Sequence, residues 1–190
     1  MRCCRGVNQA MPRALVFPGR GETVAELRAL VPSQDVRGID FDERFAALGF
    51  AAQLAKVSAC IARDGSSTTL LVGRSFGAWL LLHALLQREQ PYPGTVLLLA
   101  PVLGQGSVGQ AAFLPARTQT FWTRVQGGAA MPATRMVLMC GTEDRQAPLA
   151  LAQRLATHWP VTLHEVALDH ALPAWQQDDV PALTHAALRV

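Results

Sequence analysis

The chain has 190 residues, half of them hydrophobic and 16% charged, which suits one folded domain and excludes a disordered chain. Its 17 basic and 14 acidic residues give a formal charge of +3. The basic residues are scattered without a Lys/Arg run, so no nucleic-acid partner is expected. Residues 1–12 read as an N-terminal extension and 13–190 as a single domain. In chain order, Ala14–Phe17 (ALVF) is a predicted strand, followed by the loop Pro18-Gly19-Arg20-Gly21. Glu22–Leu30 has helical spacing and ends before Pro32; Asp35–Asp40 is a weaker strand. Glu43–Arg63 carries a helical apolar stripe, interrupted at Gly49 and stopped by Asp64-Gly65. Thr69–Val72 is a buried strand, Phe76–Arg88 a strongly apolar helix, and Pro91–Gly94 a turn. Thr95–Ala100 and Arg135–Cys140 are further strands, then a helix near Leu149–His158, a strand at Val161–Val166 and a helix at Val180–Arg189. Between them, 102–133 is rich in Gly, Gln, Thr and Ala, and reads as a short insertion with a helix around Thr118–Val125.

Uniformly apolar strands separated by helices imply a three-layer α/β fold, with a mainly parallel sheet of about six strands and helices on both faces. Such a sheet puts the strand C-termini along one edge, where ligands bind. The loops after Phe17, Val72, Ala100, Cys140 and Val166 fall there. Met1–Arg13 is polar and lacks an apolar h-region, so no secretory signal is expected. The longest apolar stretch, Ala78–Leu86, contains His83 and is shorter than the ~20 residues a bilayer span needs, so no membrane partner is expected. Cys3, Cys4, Cys60 and Cys140 form no CxxC pair, and no Cys/His spacing suggests zinc. Cys60 and Cys140 read as buried thiols, and a reducing cytoplasm is the expected location.

One motif carries chemistry. Gly73-Arg74-Ser75-Phe76-Gly77 is a G-x-S-x-G. A bare match occurs by chance in roughly one chain in twenty of this size, so context decides its meaning. Here it ends a buried strand and opens an apolar helix. A strand–elbow–helix turn presents its serine in a strained backbone conformation, with small neighbours to avoid clashes. The plainer reading is an N-cap serine in a tight turn. A serine nucleophile needs a base, and the base an orienting acid. Asp144 lies just past the strand RMVLMC, and His170 follows the last strand. Glu143 is an alternative acid; Asp169 adjoins His170, but adjacent residues usually point apart, so it is not the expected partner. His83, His158, His164 and His185 read as packing or surface residues.

With these residues the chain resembles a small α/β-hydrolase over most of Arg13–Val190. GRSFG matches the family's nucleophile elbow, and GTEDRQAP resembles its G-x-x-D-x-x-V-P acid loop, with Ala147 for valine. The order Ser75, Asp144, His170 is the family's order. The resemblance implies a minimal lid and no cofactor or metal. It implies a serine hydrolase acting on a small-molecule ester or thioester. Ser75 would be the nucleophile, His170 the base and Asp144 the acid. The oxyanion hole would be made by the Phe76 amide and the amide of Arg20, in a loop where many relatives have H-G and this chain has P-G. Two arginines, Arg20 and Arg74, are expected near the mouth, where they would favour an anionic substrate; the alternative is that they pair with local acids such as Glu22 or Asp144. Phe113, Phe121 and Trp122 of the insertion are candidates for an acyl pocket, with Phe113 and Trp122 as proposed substrate contacts. FPGRGET is also similar to the FPGQG opening of acyl-carrier-protein transacylases, which leaves acyl transfer to a thiol or alcohol as one alternative. A non-catalytic binding module on the same scaffold is the other.

Overall fold

The central strands are mostly apolar because both of their faces are covered, whereas the edge strands carry polar, exposed residues. In the computed structural model, which describes residues 13–31, 33–176 and 179–188, six strands form one parallel sheet. They are β1 (Ala14–Phe17), β2 (Val36–Gly38), β3 (Leu70–Arg74), β4 (Tyr92–Leu99), β7 (Ala133–Gly141) and β8 (Thr162–Val166), and β5 (Gly106–Val108) and β6 (Ala111–Phe113) form a separate antiparallel hairpin. The sheet order is β2-β1-β3-β4-β7-β8. Alternate residues divide between two cores, as the two-residue period of a strand requires. Leu15, Phe17, Leu71, Val96, Leu98, Met136 and Leu138 belong to one core. Ala14, Val16, Leu70, Val72, Leu97, Leu99, Val137 and Met139 belong to the other.

The first core is closed by α3 (Phe50–Asp64), α4 (Phe76–Leu86), α5 (Thr118–Gln126) and α6 (Leu149–Ala156), through residues such as Val57, Ile61, Trp79, Phe121 and Leu155. The second is closed by α1 (Val24–Leu27), its 3-10 extension Arg28–Leu30 and α7 (Leu172–Trp175), through Leu27, Leu30 and Trp175. The remaining helices are the short α2 (Glu43–Ala46) and α8 (Asp179–Ala187). Every residue of α4 is buried. Its five leucines alone bury apolar surface worth on the order of 10 kcal/mol, so the helix that follows Ser75 is firmly anchored.

Local chemistry explains where several elements begin. Thr23 caps α1, forming a capping box with Glu26, so the helix starts at Val24 rather than at Glu22. Asp42 caps α2 by accepting from the Phe45 amide at 2.8 Å. Gly49 splits the expected Glu43–Arg63 helix into two and stands at the N-cap of α3. β4 begins at Tyr92, inside the expected turn, because Tyr92 pairs with Ala133 before a register shift at Pro93-Gly94. The stretch 102–133 contains the β5–β6 hairpin, which was not expected, and α5, close to its expected span.

The chain builds β2 on one side of β1, then returns to place β3 on the other. That reversal makes the crevice above the C-terminal ends of β1 and β3 the favoured ligand position of an open α/β sheet.

Candidate active site

Ser75 stands at this crevice with φ 51° and ψ −119°, in a region that side chains other than glycine rarely adopt. The strain is held from several directions. Its amide donates to Leu99 O at 2.9 Å, and its carbonyl accepts from Trp79 N at 3.3 Å and Val102 N at 3.4 Å. Ser75 occupies the N-cap position of α4, but its side chain makes no capping hydrogen bond. The hydroxyl instead lies 2.8 Å from His170 Nε2.

His170 Nδ1 is 2.7 Å from Asp144 Oδ2, and the Asp144 side chain is fully buried. The other oxygen, Oδ1, accepts from the amides of Gln146 and Ala147, both at 2.8 Å. The carboxylate is therefore fixed by its own loop before it meets the histidine. An ionised carboxylate only accepts, so Nδ1 carries the proton and Nε2 is left to accept from the Ser75 hydroxyl. Glu143 is exposed and Asp169 accepts from the Ala171 amide, so neither contacts the imidazole. The histidine loop is secured below by Trp175, whose Nε1 donates to Asp169 O at 2.8 Å.

Arg20 and Phe76 both line a cavity of about 620 Å³ that opens over Ser75 and His170. Neither backbone amide donates to another described residue. The Gly19 amide is already engaged with Glu22, at 2.7 Å. The outer wall is the β5–β6 hairpin and the segment leaving it, through Val108, Ala111, Phe113 and Leu114. The hairpin rests on the acid loop: Ser107 N donates to Arg145 O at 2.9 Å. A side chain at Gly106 would place its Cβ only 2.1 Å from Gln146 O.

No protein-family model matches the chain, and no curated protein matches it in sequence. Solved structures do match. The chain is similar to alpha/beta hydrolase domain-containing protein 10 from mouse, with a TM-score of 0.66 and 14% identity over 94% of this chain and 88% of that one. It is similar to a monoacylglycerol lipase from Paleococcus ferrophilus, with a TM-score of 0.66 and 13% identity over 93% of each chain. A third likeness is to the esterase domain of a Rhodothermus marinus protein, with a TM-score of 0.62 and 15% identity over 97% and 89%. The chain has the α/β-hydrolase fold.

Within that fold, the two glycines around Ser75 have steric reasons. A Cβ on Gly73 would lie 2.6 Å from Ala78 Cα, and one on Gly77 would lie 2.0 Å from Phe17 O and 2.3 Å from Pro18 O. The α/β-hydrolase elbow thus packs its helix directly on the loop after β1. Phe113 reaches the cavity, and the guanidinium of Arg20 lies 4.2 Å above the Phe76 ring at its rim.

Two expected substrate contacts do not reach the cavity. Trp122 faces inward from α5, donates to Leu103 O at 2.8 Å and carries Arg154 on its ring. Arg74 is 1% exposed and is bonded to Glu22 and to the His170 carbonyl. Glu22, named in the sequence as one local acid that could pair with these arginines, is the partner of Arg74 and also lines the cavity. The sequence offered Glu22 and Asp144 alike, because a separation of 52 residues gives no local sign of which acid is met. The expected packing role of His83 matches its place among Phe50, Trp79 and Phe121. Among the described residues, no three metal-binding side chains converge, and no helix is long and apolar enough to cross a membrane.

Proposed function

We propose that the protein is a serine hydrolase that cleaves a carboxylic ester or thioester through an acyl-serine intermediate. The observation that carries this reading is the unbroken relay from Ser75 Oγ through both His170 nitrogens to Asp144, at 2.8 and 2.7 Å, beneath an open cavity. His170 Nε2 takes the hydroxyl proton as Ser75 Oγ attacks the carbonyl carbon. Asp144 stabilises the imidazolium. The carbonyl oxygen becomes an oxyanion that accepts from the Arg20 and Phe76 amides, an interaction whose loss costs about 10²–10³ in rate per donor in such sites. The imidazolium then protonates the leaving oxygen or sulfur as its bond to carbon breaks, releasing the alcohol or thiol. Water, deprotonated by His170, attacks the acyl-serine; the imidazolium returns that proton to Ser75 Oγ as the C–Oγ bond breaks and the acid leaves.

The cavity is of a size for a small-molecule ester. Phe113, Val108 and Leu114 line it with apolar surface that suits an acyl group. Arg20 supplies a cation at the rim with no acidic partner among the described residues, which favours a substrate with an anionic group remote from the scissile bond. The buried free thiols Cys60 and Cys140 are in keeping with a reducing location such as the cytoplasm.

Labelling with a fluorophosphonate probe tests the reading. Wild-type protein is expected to take the probe and Ser75→Ala to lose it; a folded wild type that takes none would refute a serine hydrolase. A panel of neutral and anionic acyl esters and thioesters then identifies the substrate class, with Arg20→Ala expected to reduce kcat/KM on the anionic members selectively. An acyl-serine that persists in water and is discharged by thiols would turn the assignment to acyl transfer.

A further inference from the structure

Arg74 is the residue before the nucleophile, yet its charged end serves other loops. Nη1 donates to Glu22 Oε1 and Nη2 to the carbonyl oxygen of His170. Glu22 in turn accepts from the Gly19 amide through Oε2 at 2.7 Å. One continuous chain of polar contacts therefore runs from the loop after β1, through the end of β3, to the loop after β8. These three loops carry the proposed oxyanion donor Arg20, the nucleophile Ser75 and the base His170. The glycine at position 19 belongs to the same arrangement: a Cβ there would lie 2.8 Å from Glu22 Oε2, so the carboxylate occupies the place of a side chain.

We propose that Arg74 and Glu22 are a positioning pair, fixing the oxyanion loop and the base loop at one distance on either side of Ser75. This rests on the hydrolase reading for its catalytic meaning. Three features support it. The pair is a poor device for stability: Arg74 is 1% exposed, Glu22 is largely covered, and Arg74 Nε is buried without a partner among the described residues. Ion pairs in such surroundings lose in desolvation much of what they gain by attraction. The geometry also selects arginine over lysine. Two nitrogens of one rigid plane reach a carboxylate and a carbonyl at once, whereas an ammonium offers a single point. Finally, the two charges cancel. The pair therefore orders the loops without adding net charge beside a reaction that develops an oxyanion and an imidazolium. Burial pushes the Arg74 guanidinium down to about 10, which leaves it charged at neutral pH.

Arg74→Met, Arg74→Lys and Glu22→Gln test the proposal, with folding checked by circular dichroism. Displacing a catalytic group by about 1 Å can cost about 10²-fold, so each variant is expected to react with a fluorophosphonate about 10- to 100-fold more slowly. For the Arg74 variants ester KM should stay within about twofold, because Arg74 does not line the cavity. Two NMR signals report position without turnover. Hydrogen exchange at the Gly19 amide should accelerate at least about tenfold, and the low-field proton between His170 and Asp144 should weaken or vanish. Glu22→Gln keeps the shape of the side chain and serves if an Arg74 variant fails to fold. Unchanged exchange and an unchanged low-field proton in the folded variants would overturn the pair as a positioning device, whatever the kinetics. If the NMR signals respond but wild-type protein takes no probe, the positioning stands and the hydrolase reading falls.

Discussion

Each oxygen of Asp144 has a separate task, and that separation makes a sharp prediction at the level of one atom. Oδ1 is held by the Gln146 and Ala147 amides, so in Asp144→Asn the amide oxygen should take that place and its NH2 should face His170 Nδ1. Nδ1 would then have to accept, Nε2 would carry the proton, and His170 would be unable to deprotonate Ser75. Activity should fall about 10⁴-fold with little loss of stability, as measured by steady-state kinetics beside a denaturant melt. A loss under tenfold would contradict the roles proposed here for Asp144 and His170. The three residues that this relay joins were legible in the sequence from their order and from their places after three separate strands, although β8 is only partly apolar. Arg74 was not. Sequence gives the charge of a side chain but not its direction, and the direction is set by a carboxylate 52 residues away. Trp122 misled for a related reason. An aromatic residue in a polar stretch invites a ligand, but α5 is amphipathic, and Phe121, Trp122 and Val125 are its inward face.

The element that most constrains the site is α4, and its first turn leaves no room for error. In Gly77→Ala the new Cβ would start 2.0 Å from a backbone oxygen of β1, which cannot move aside as a flexible side chain would. Overpacking of this kind typically costs about 1–3 kcal/mol, and the strain falls on the loop that carries the Arg20 amide. Gly77→Ala is therefore expected to lower both the urea midpoint and kcat. Ala78→Gly, one residue on, should cost stability alone, of order 1 kcal/mol. The long strands and helices were readable at this scale because a buried parallel sheet forces continuous apolar runs. The β5–β6 hairpin was not readable. Its strands are three residues long and rich in Gly, Ser and Ala, and it is held by backbone contact with the acid loop rather than by an apolar pattern of its own.

For the whole molecule, acid sensitivity should reside partly away from the reaction. Burial, and then the charges of Arg117 and Arg124, push the His83 imidazole from its ordinary 6.5 down to about 4. Between those values the unfolded chain holds a proton that the native chain does not. Stability is therefore lost as pH falls from 6.5 toward 4, by up to about 3 kcal/mol. His83→Phe, among Phe50, Trp79 and Phe121, should flatten this dependence; urea midpoints at pH 7 and pH 4.5 give the comparison. The architecture as a whole followed from the alternation of apolar strands with helices, but its contacts across the chain did not. Those contacts have a temporal consequence. Ser75 and His170 lie 95 residues apart, and every neighbouring pair in the main sheet is parallel, so that sheet contains no local hairpin to fold early. The serine meets its base only when the segment after β8 has docked. By the proposed mechanism, a chain that has not docked that segment carries an unarmed hydroxyl, so reactivity with a fluorophosphonate should appear only once the fold around β8 is complete.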